Sequence, residues 1–167
     1  DGFAFPPVSG ASPDGVLCVG GNLSPGMLLS AYRQGIFPWF NDDEPIVWWS
    51  PDPRFVLEPA ELHVSGTMRK LIKKRRFRLS LDRAFGEVIR ACSASPRRGQ
   101  RGTWITSDMI DAYERMHALG YAHSVEAWLD GALVGGLYGL SLGSAFFGES
   151  MFSREPDASK AAFIPFV

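Results

Sequence analysis

Cysteine is scarce in this sequence: Cys18 and Cys92 are the only two among 167 residues, and no CxxC or His/Cys spacing accompanies them. That argues against a disulfide framework or a zinc site and leaves both as small buried hydrophobes. Long apolar runs are also missing, since no stretch approaches the ~18 to 20 residues of a membrane span. The opening Asp1-Gly2-Phe3 lacks the basic n-region of a signal peptide. The expectation is a soluble, cytoplasmic protein with no membrane partner. There is no internal repeat, low-complexity tract or obvious linker, and 46% apolar with 21% charged residues is ordinary globular composition, which excludes a disordered chain.

Net charge is nearly absent too, at −1, but that total conceals a lopsided distribution. Twelve of the 17 basic residues fall between Arg69 and Arg101: Arg69, Lys70, Lys73, Lys74, Arg75, Arg76, Arg78, Arg83, Arg90, Arg97, Arg98 and Arg101. Only Asp82 and Glu87 oppose them, so 12 − 2 leaves ten excess positive charges in that stretch. A short Lys/Arg run is usually a solvated helix face. This excess spans a helix, a strand and a loop, which is the footprint of a surface that binds a polyanion such as nucleic acid.

Residues 1–22 are rich in Gly and Pro and predict an irregular, packed entry. A helix follows, with Ser24 as cap, Pro25 in the first turn, Met27, Leu28, Ala31 and Tyr32 as an apolar stripe, and Gly35 as a left-handed stop. Ile36 to Phe40 and Ile46 to Arg54 crowd aromatics and prolines into a rigid platform, within which Arg54 is expected to pair with Asp52. Ser65 to Arg75 alternates Met68, Leu71 and Ile72 with cations, an amphipathic helix with a basic outer face. Phe77 to Leu81 reads as a strand, Asp82 as the cap of a helix burying Phe85, Val88, Ile89 and Cys92, and Ser107 as the start of another helix that ends at Gly120. From Tyr121 the period becomes two, with a hairpin turn at Asp130-Gly131, a long return strand through Gly135-Gly136 and a third strand from Ala145 to Ser153. The paired glycines predict a bulge or a ligand close to the backbone. Asp157 to Ala162 begins a helical pattern that Pro165 interrupts.

Helices preceding three antiparallel strands indicate an α+β fold. A boundary near residue 60 would divide a small N-terminal α/β module, residues 1–60, from a larger mixed domain, residues 61–167, with an antiparallel hairpin core. Among the histidines, His63, His117 and His123, none stands at a metal-ligand spacing; His117 reads as a structural residue on a helix face.

Six segments together carry a resemblance. They are Gly20 to Pro25, Ala31 to Phe40 with its Gly-Ile-Phe-Pro-Trp-Phe, Trp48 to Arg54, Gly102 to Ile105, Ala122 to Glu126, and Gly148 to Arg154. In this order the sequence resembles the leucyl/phenylalanyl-tRNA-protein transferases, from residue 5 to about residue 162. Gly66 stands where the family generally has a basic residue.

The resemblance implies two domains, the second acetyltransferase-like and incomplete at its C-terminal end, with a further segment carrying an Asp and Gln proton-relay pair. It implies transfer of Leu, Phe or Met from aminoacyl-tRNA to the α-amine of acceptor proteins beginning with Arg or Lys, which marks them for degradation, with no metal and no cofactor. Trp39 and Trp104 match residues that embrace the terminal adenosine, and Leu137, Phe146 and Met151 match the lining of the pocket for the transferred side chain. Glu149 matches an active-site carboxylate near the adenosine and the reacting ester, assigned here as the catalytic residue, to positioning first and general base second. Arg69, Lys70, Lys73, Lys74, Arg75 and Arg76 are the nearest cations for the tRNA phosphates. An α-amine attacking an ester needs chiefly orientation, proton movement and a stabilised oxyanion; the residue that takes the amine proton stays open. So do two other classes: a noncatalytic tRNA-binding fragment, and an acyl-CoA-dependent N-acetyltransferase, whose Gly-rich pyrophosphate loop before a helix is not found here.

Overall fold

The computed structural model describes residues 3–95 and 103–167. The chain divides into two compact units, Asp1–Val56 with Arg97–Arg115, and Leu57–Pro96 with Met116–Val167.

The first unit is built on a three-stranded antiparallel sheet, in the order β1-β3-β2, from β1 (Val16–Val19), β2 (Phe37–Pro38) and β3 (Val47–Trp49). β1 replaces the irregular entry expected from the Gly/Pro content. Its partner β3 comes after an intervening helix, so local composition carries no sign of the pairing. That helix, α1 (Pro25–Tyr32), has the expected start: the Ser24 hydroxyl accepts from the Met27 N–H at 3.4 Å, and Gly35 stops the chain at φ 74°. Trp48 is fully buried, with its Nε1–H donating to the Gly20 carbonyl at 2.8 Å and the Phe5 ring edge-on at 5.0 Å. The Arg54 guanidinium lies 4.5 Å above the Phe37 ring. Among the described residues it forms no ion pair with Asp52; the aromatic platform takes the cation instead.

The helix α4 (Ser107–Ala118) begins in this unit, where the Thr106 hydroxyl caps the Met109 N–H at 3.3 Å. Met109, Ala112, Tyr113 and Met116 are fully buried, and the hydroxyls of Tyr113 and Tyr32 are hydrogen-bonded to each other.

The second unit is a four-stranded antiparallel sheet in the order β4-β5-β6-β7. Its strands are β4 (Arg78–Leu81), β5 (Ala122–Leu129), β6 (Ala132–Leu142) and β7 (Ala145–Ser153). The predicted hairpin forms, with Asp130 and Gly131 both at positive φ (51° and 83°) as a two-residue turn requires. The helices are α2 (Gly66–Lys73), α3 (Phe85–Ser93) and α5 (Ala158–Phe166). The paired glycines place two of them. A Cβ on Gly135 would lie 2.6 Å from the Ala158 Cβ of α5, and one on Gly136 would meet Val88 of α3 at 3.3 Å. Successive residues of a strand face opposite ways, so α5 and α3 cover opposite faces. A bulge does adjoin these glycines, because Ala127 pairs with Gly135 while Trp128 pairs with Leu133, but the close approach at Gly135 is that of a helix. Met68, Phe77, Val125, Ala127, Leu137, Ala161 and Ala162 belong to the core on the α5 side. α5 runs through Pro165 to Phe166 rather than breaking there.

Asp82 does not cap α3. It adopts φ 55°, and its carboxylate reaches across to β5, with Oδ1 accepting the Ser124 N–H at 2.8 Å and Oδ2 facing His123 Nδ1 at 2.7 Å. The start of α3 is served by Glu126, whose Oε1 accepts the Ala84 N–H at 3.3 Å. The residue that satisfies the helix terminus comes from a distant strand.

Candidate active site and nucleic-acid interface

The period-two alternation of β5 leaves Ser124 and Glu126 on the face opposite Val125 and Ala127, and both polar residues are fully buried. Glu126 accepts hydrogen bonds from the hydroxyls of Ser80 (2.5 Å) and Ser124 (2.6 Å) in addition to the Ala84 amide. Ser80 also receives the Trp128 Nε1–H at 2.7 Å. Donors fill the carboxylate, so the network serves as scaffold for the sheet.

On the α5 face stand the residues matched to the side-chain pocket. Leu137 of β6 is buried and pairs directly with Met151 of β7, which is half-exposed. Phe146 packs against the same core, edge-on to Phe166 at 4.9 Å. Cross-strand partners share a face, so these three apolar side chains are brought to one side of one sheet.

Glu149 sits at a break in the register. Tyr138 pairs with Ser150 and Gly139 with Gly148, which leaves Glu149 as the extra residue of a β-bulge on β7. A bulge releases one residue from the ladder and re-aims its side chain. The glycine opposite makes this possible: a Cβ on Gly139 would lie 2.2 Å from the Phe147 carbonyl oxygen and 2.6 Å from Phe146 Cζ. The bulge is a signal that the Gly-Glu-Ser spacing alone did not disclose.

Trp39 and Trp104 belong to the first unit. Trp39 follows β2, with its N–H donating to the Val47 carbonyl at 2.9 Å and its own carbonyl accepting the Trp49 Nε1–H at 2.7 Å. Its ring is 5.2 Å from that of Trp49 and 40% exposed, so part of the aromatic surface faces solvent. Trp104 is half-buried just ahead of α4.

Arg69, Lys70, Lys73, Lys74, Arg75 and Arg76 are all exposed, on α2 and the turn after it. Part of this charge serves the helix itself, since Lys70 and Lys73 lie in its last turn, where cations complement the dipole. Arg76 is paired with Glu155 at 2.8 Å, which lowers its share in any phosphate contact. Arg97, Arg98 and Arg101 lie outside the described residues. Beside the cations is a cavity of about 470 Å³ lined by Leu71, Ile72, Phe77, Leu79, Ala161 and Pro165 with Arg75, Arg76 and Arg78. It shares no residue with the Leu137, Phe146 and Met151 surface.

Two histidines meet Asp82. The His117 ring stacks on Phe85 at 4.3 Å and its Nδ1 bonds the Ala122 carbonyl at 2.8 Å, a packed residue as expected. His63 is exposed. Burial pushes the Cys18 thiol above its ordinary pKa by desolvation, which disfavours the nucleophilic thiolate. Among the described residues no group of three or more His, Cys, Asp or Glu is placed to hold a metal ion, and no helix is long and apolar enough to cross a membrane.

Comparison with known proteins gives one answer along the chain. The family model described as leucyl/phenylalanyl-tRNA protein transferase matches residues 56–167, and the model of that family's N-terminal domain matches residues 21–52. A leucyl/phenylalanyl-tRNA–protein transferase of Anaeromyxobacter sp. (strain Fw109-5) is 60% identical over 161 residues, which cover 96% of this chain and 68% of the relative. The protein of the same name from Syntrophus aciditrophicus (strain SB) is 61% identical over 162 residues, with 97% and 68% covered. That of Syntrophotalea carbinolica (strain DSM 2380 / NBRC 103641 / GraBd1) is 57% identical over all 167, which span 73% of it. The chain belongs to the leucyl/phenylalanyl-tRNA–protein transferase family.

Proposed function

We propose that the protein is an aminoacyltransferase that moves Leu, Phe or Met from aminoacyl-tRNA to the α-amine of proteins beginning with Arg or Lys. The observation that carries this reading is the identity of about 60%, over nearly the whole chain, with relatives that all bear the transferase name. The chemistry is an exchange of acyl oxygen ester for amide. The amine attacks the ester carbonyl, the ribose oxygen leaves, and no energy source beyond the ester is needed.

In this reading the second unit is an acetyltransferase-like domain, supported by its β5–β6 hairpin and the bulge at Glu149. Leu137, Phe146 and Met151 house the transferred side chain; an unbranched Met adapts to both Leu and Phe, and an apolar lining excludes charged amino acids through the cost of desolvating them. Glu149 positions the ester and the amine. Trp39 and Trp104 stack the terminal adenosine, and Arg69, Lys70, Lys73, Lys74, Arg75 and Arg76 hold phosphates without reading sequence.

The test is consumption of the ester. With Leu-tRNA and a peptide beginning with Arg, loss of the ester should be matched by Leu on the peptide, while Glu-tRNA stays charged. Tight binding of Leu-tRNA with the ester intact would instead identify a noncatalytic tRNA-binding protein.

A further inference from the structure

One imidazole in the second unit is arranged to accept a proton, and none of the roles above uses it. His123 is the second residue of β5, with Nδ1 2.7 Å from Asp82 Oδ2. A carboxylate facing a neutral ring can only accept, so Nδ1 carries the hydrogen and Nε2 the lone pair. Asp82 is itself fixed, through the Ser124 amide on its other oxygen. The His123 side chain keeps 29% of its surface exposed, and among the described residues its Nε2 has no hydrogen-bond partner. His117 differs: it lies 3.9 Å from the same carboxylate, but its ring is stacked on Phe85 and its Nδ1 is bonded to a carbonyl.

The register connects this pair to the proposed site. His123 pairs with Gly139, Gly139 pairs with Gly148, and the next residue is the bulged Glu149. Two glycines therefore separate the imidazole from the carboxylate across the sheet, and the Phe146 ring lies over the first of them. At ~4.8 Å per strand the row from His123 to Gly148 spans about 10 Å between Cα atoms. Val125, two residues on in β5, pairs with Leu137, which pairs with Met151, so residue 123 shares the sheet face of these pocket residues.

We infer that His123, oriented by Asp82, carries the proton in the transfer step, an assignment that rests on the aminoacyl-transfer reading. The α-ammonium first loses one proton to solvent. The amine lone pair then forms the C–N bond as the carbonyl π pair moves onto oxygen. Nε2 removes the second proton from the nitrogen, the C–O bond to the ribose breaks as the carbonyl re-forms, and Nε2 gives that proton to the departing ribose oxygen. The ring ends neutral, as it began.

Three variants test this against a structural role. In His123→Asn the amide NH2 stands where Nδ1–H does, keeping the bond to Asp82, but no proton acceptor is left. Its single-turnover rate with Leu-tRNA and an Arg peptide should fall ~10²- to 10⁴-fold. Peptide KM and the affinity for Leu-tRNA should stay within about threefold of wild type, with the urea midpoint retained. His123→Gln should be equally slow, and His123→Ala should regain rate with added imidazole. Near-wild-type turnover in His123→Asn would overturn the assignment, since a purely structural histidine is rescued by the retained hydrogen bond. A wild-type chain that binds Leu-tRNA without transferring Leu would defeat the aminoacyl-transfer reading itself and this step with it.

Discussion

The fully buried Glu126 carboxylate on β5 accepts the hydroxyl of Ser80 on β4 at 2.5 Å. With Ser124 and the Ala84 amide it joins two strands to the start of α3. Replacing Glu126 by Leu strands three donors at once and should cost about 3 to 5 kcal/mol, while Gln, which keeps one acceptor, should cost about 1 to 3. Urea unfolding of the two variants checks the order and the gap.

Gly139 and Gly135 both lie on β6 under close contacts, but only Gly139 adjoins the bulge that carries Glu149. Alanine at either should destabilise by about 1 to 3 kcal/mol through overpacking. Gly139→Ala should in addition lower kcat for Leu transfer by more than tenfold, a drop of over ~1.4 kcal/mol in transition-state stabilisation, while folded Gly135→Ala keeps its rate. Equal rates in the two variants would separate the bulge from the chemistry.

What the sequence made legible follows the range of the interaction. The hairpin at Asp130-Gly131, the Ser24 cap and the apolar stripe of α3 rest on neighbours within a few residues, and they form as read. β1 has no local signature because its partner β3 is far along the chain, and Asp82, which stands where a cap of α3 is expected, binds β5 instead, while Glu126 of that strand serves the helix. The same limit holds at the proposed site. Leu137, Phe146 and Met151 were named from motif likeness, and only the register of β6 with β7 puts them on one face. Neither the bulge at Glu149 nor the Asp82–His123 pair has a local signature.

Trp39 is held through its backbone and its contact with Trp49, so truncation should leave the fold nearly intact. Trp39→Ala is expected to weaken Leu-tRNA binding by ~1 to 3 kcal/mol, roughly 5- to 150-fold, the range for one stacked base. Fluorescence titration alongside thermal unfolding distinguishes a lost platform from a lost fold.

On α2 and its turn, Lys70→Glu with Lys74→Glu should weaken tRNA binding at every tRNA sequence and flatten the dependence of log K on log salt by about 0.7 to 0.9 per lost phosphate contact. Gly66 is open on all sides, with no atom within 4 Å of an added Cβ. Gly66→Arg is therefore expected to steepen that slope by a similar amount without loss of stability. Filter binding across a salt series reads both changes.

The most direct measurement is transfer of labelled Leu from Leu-tRNA to a peptide beginning with Arg, with the same peptide N-acetylated as control. Label on the free peptide alone is the predicted result, because the nucleophile is the α-amine. Label on neither peptide, from a folded chain that binds Leu-tRNA, would contradict the assignment of aminoacyl transfer to this chain.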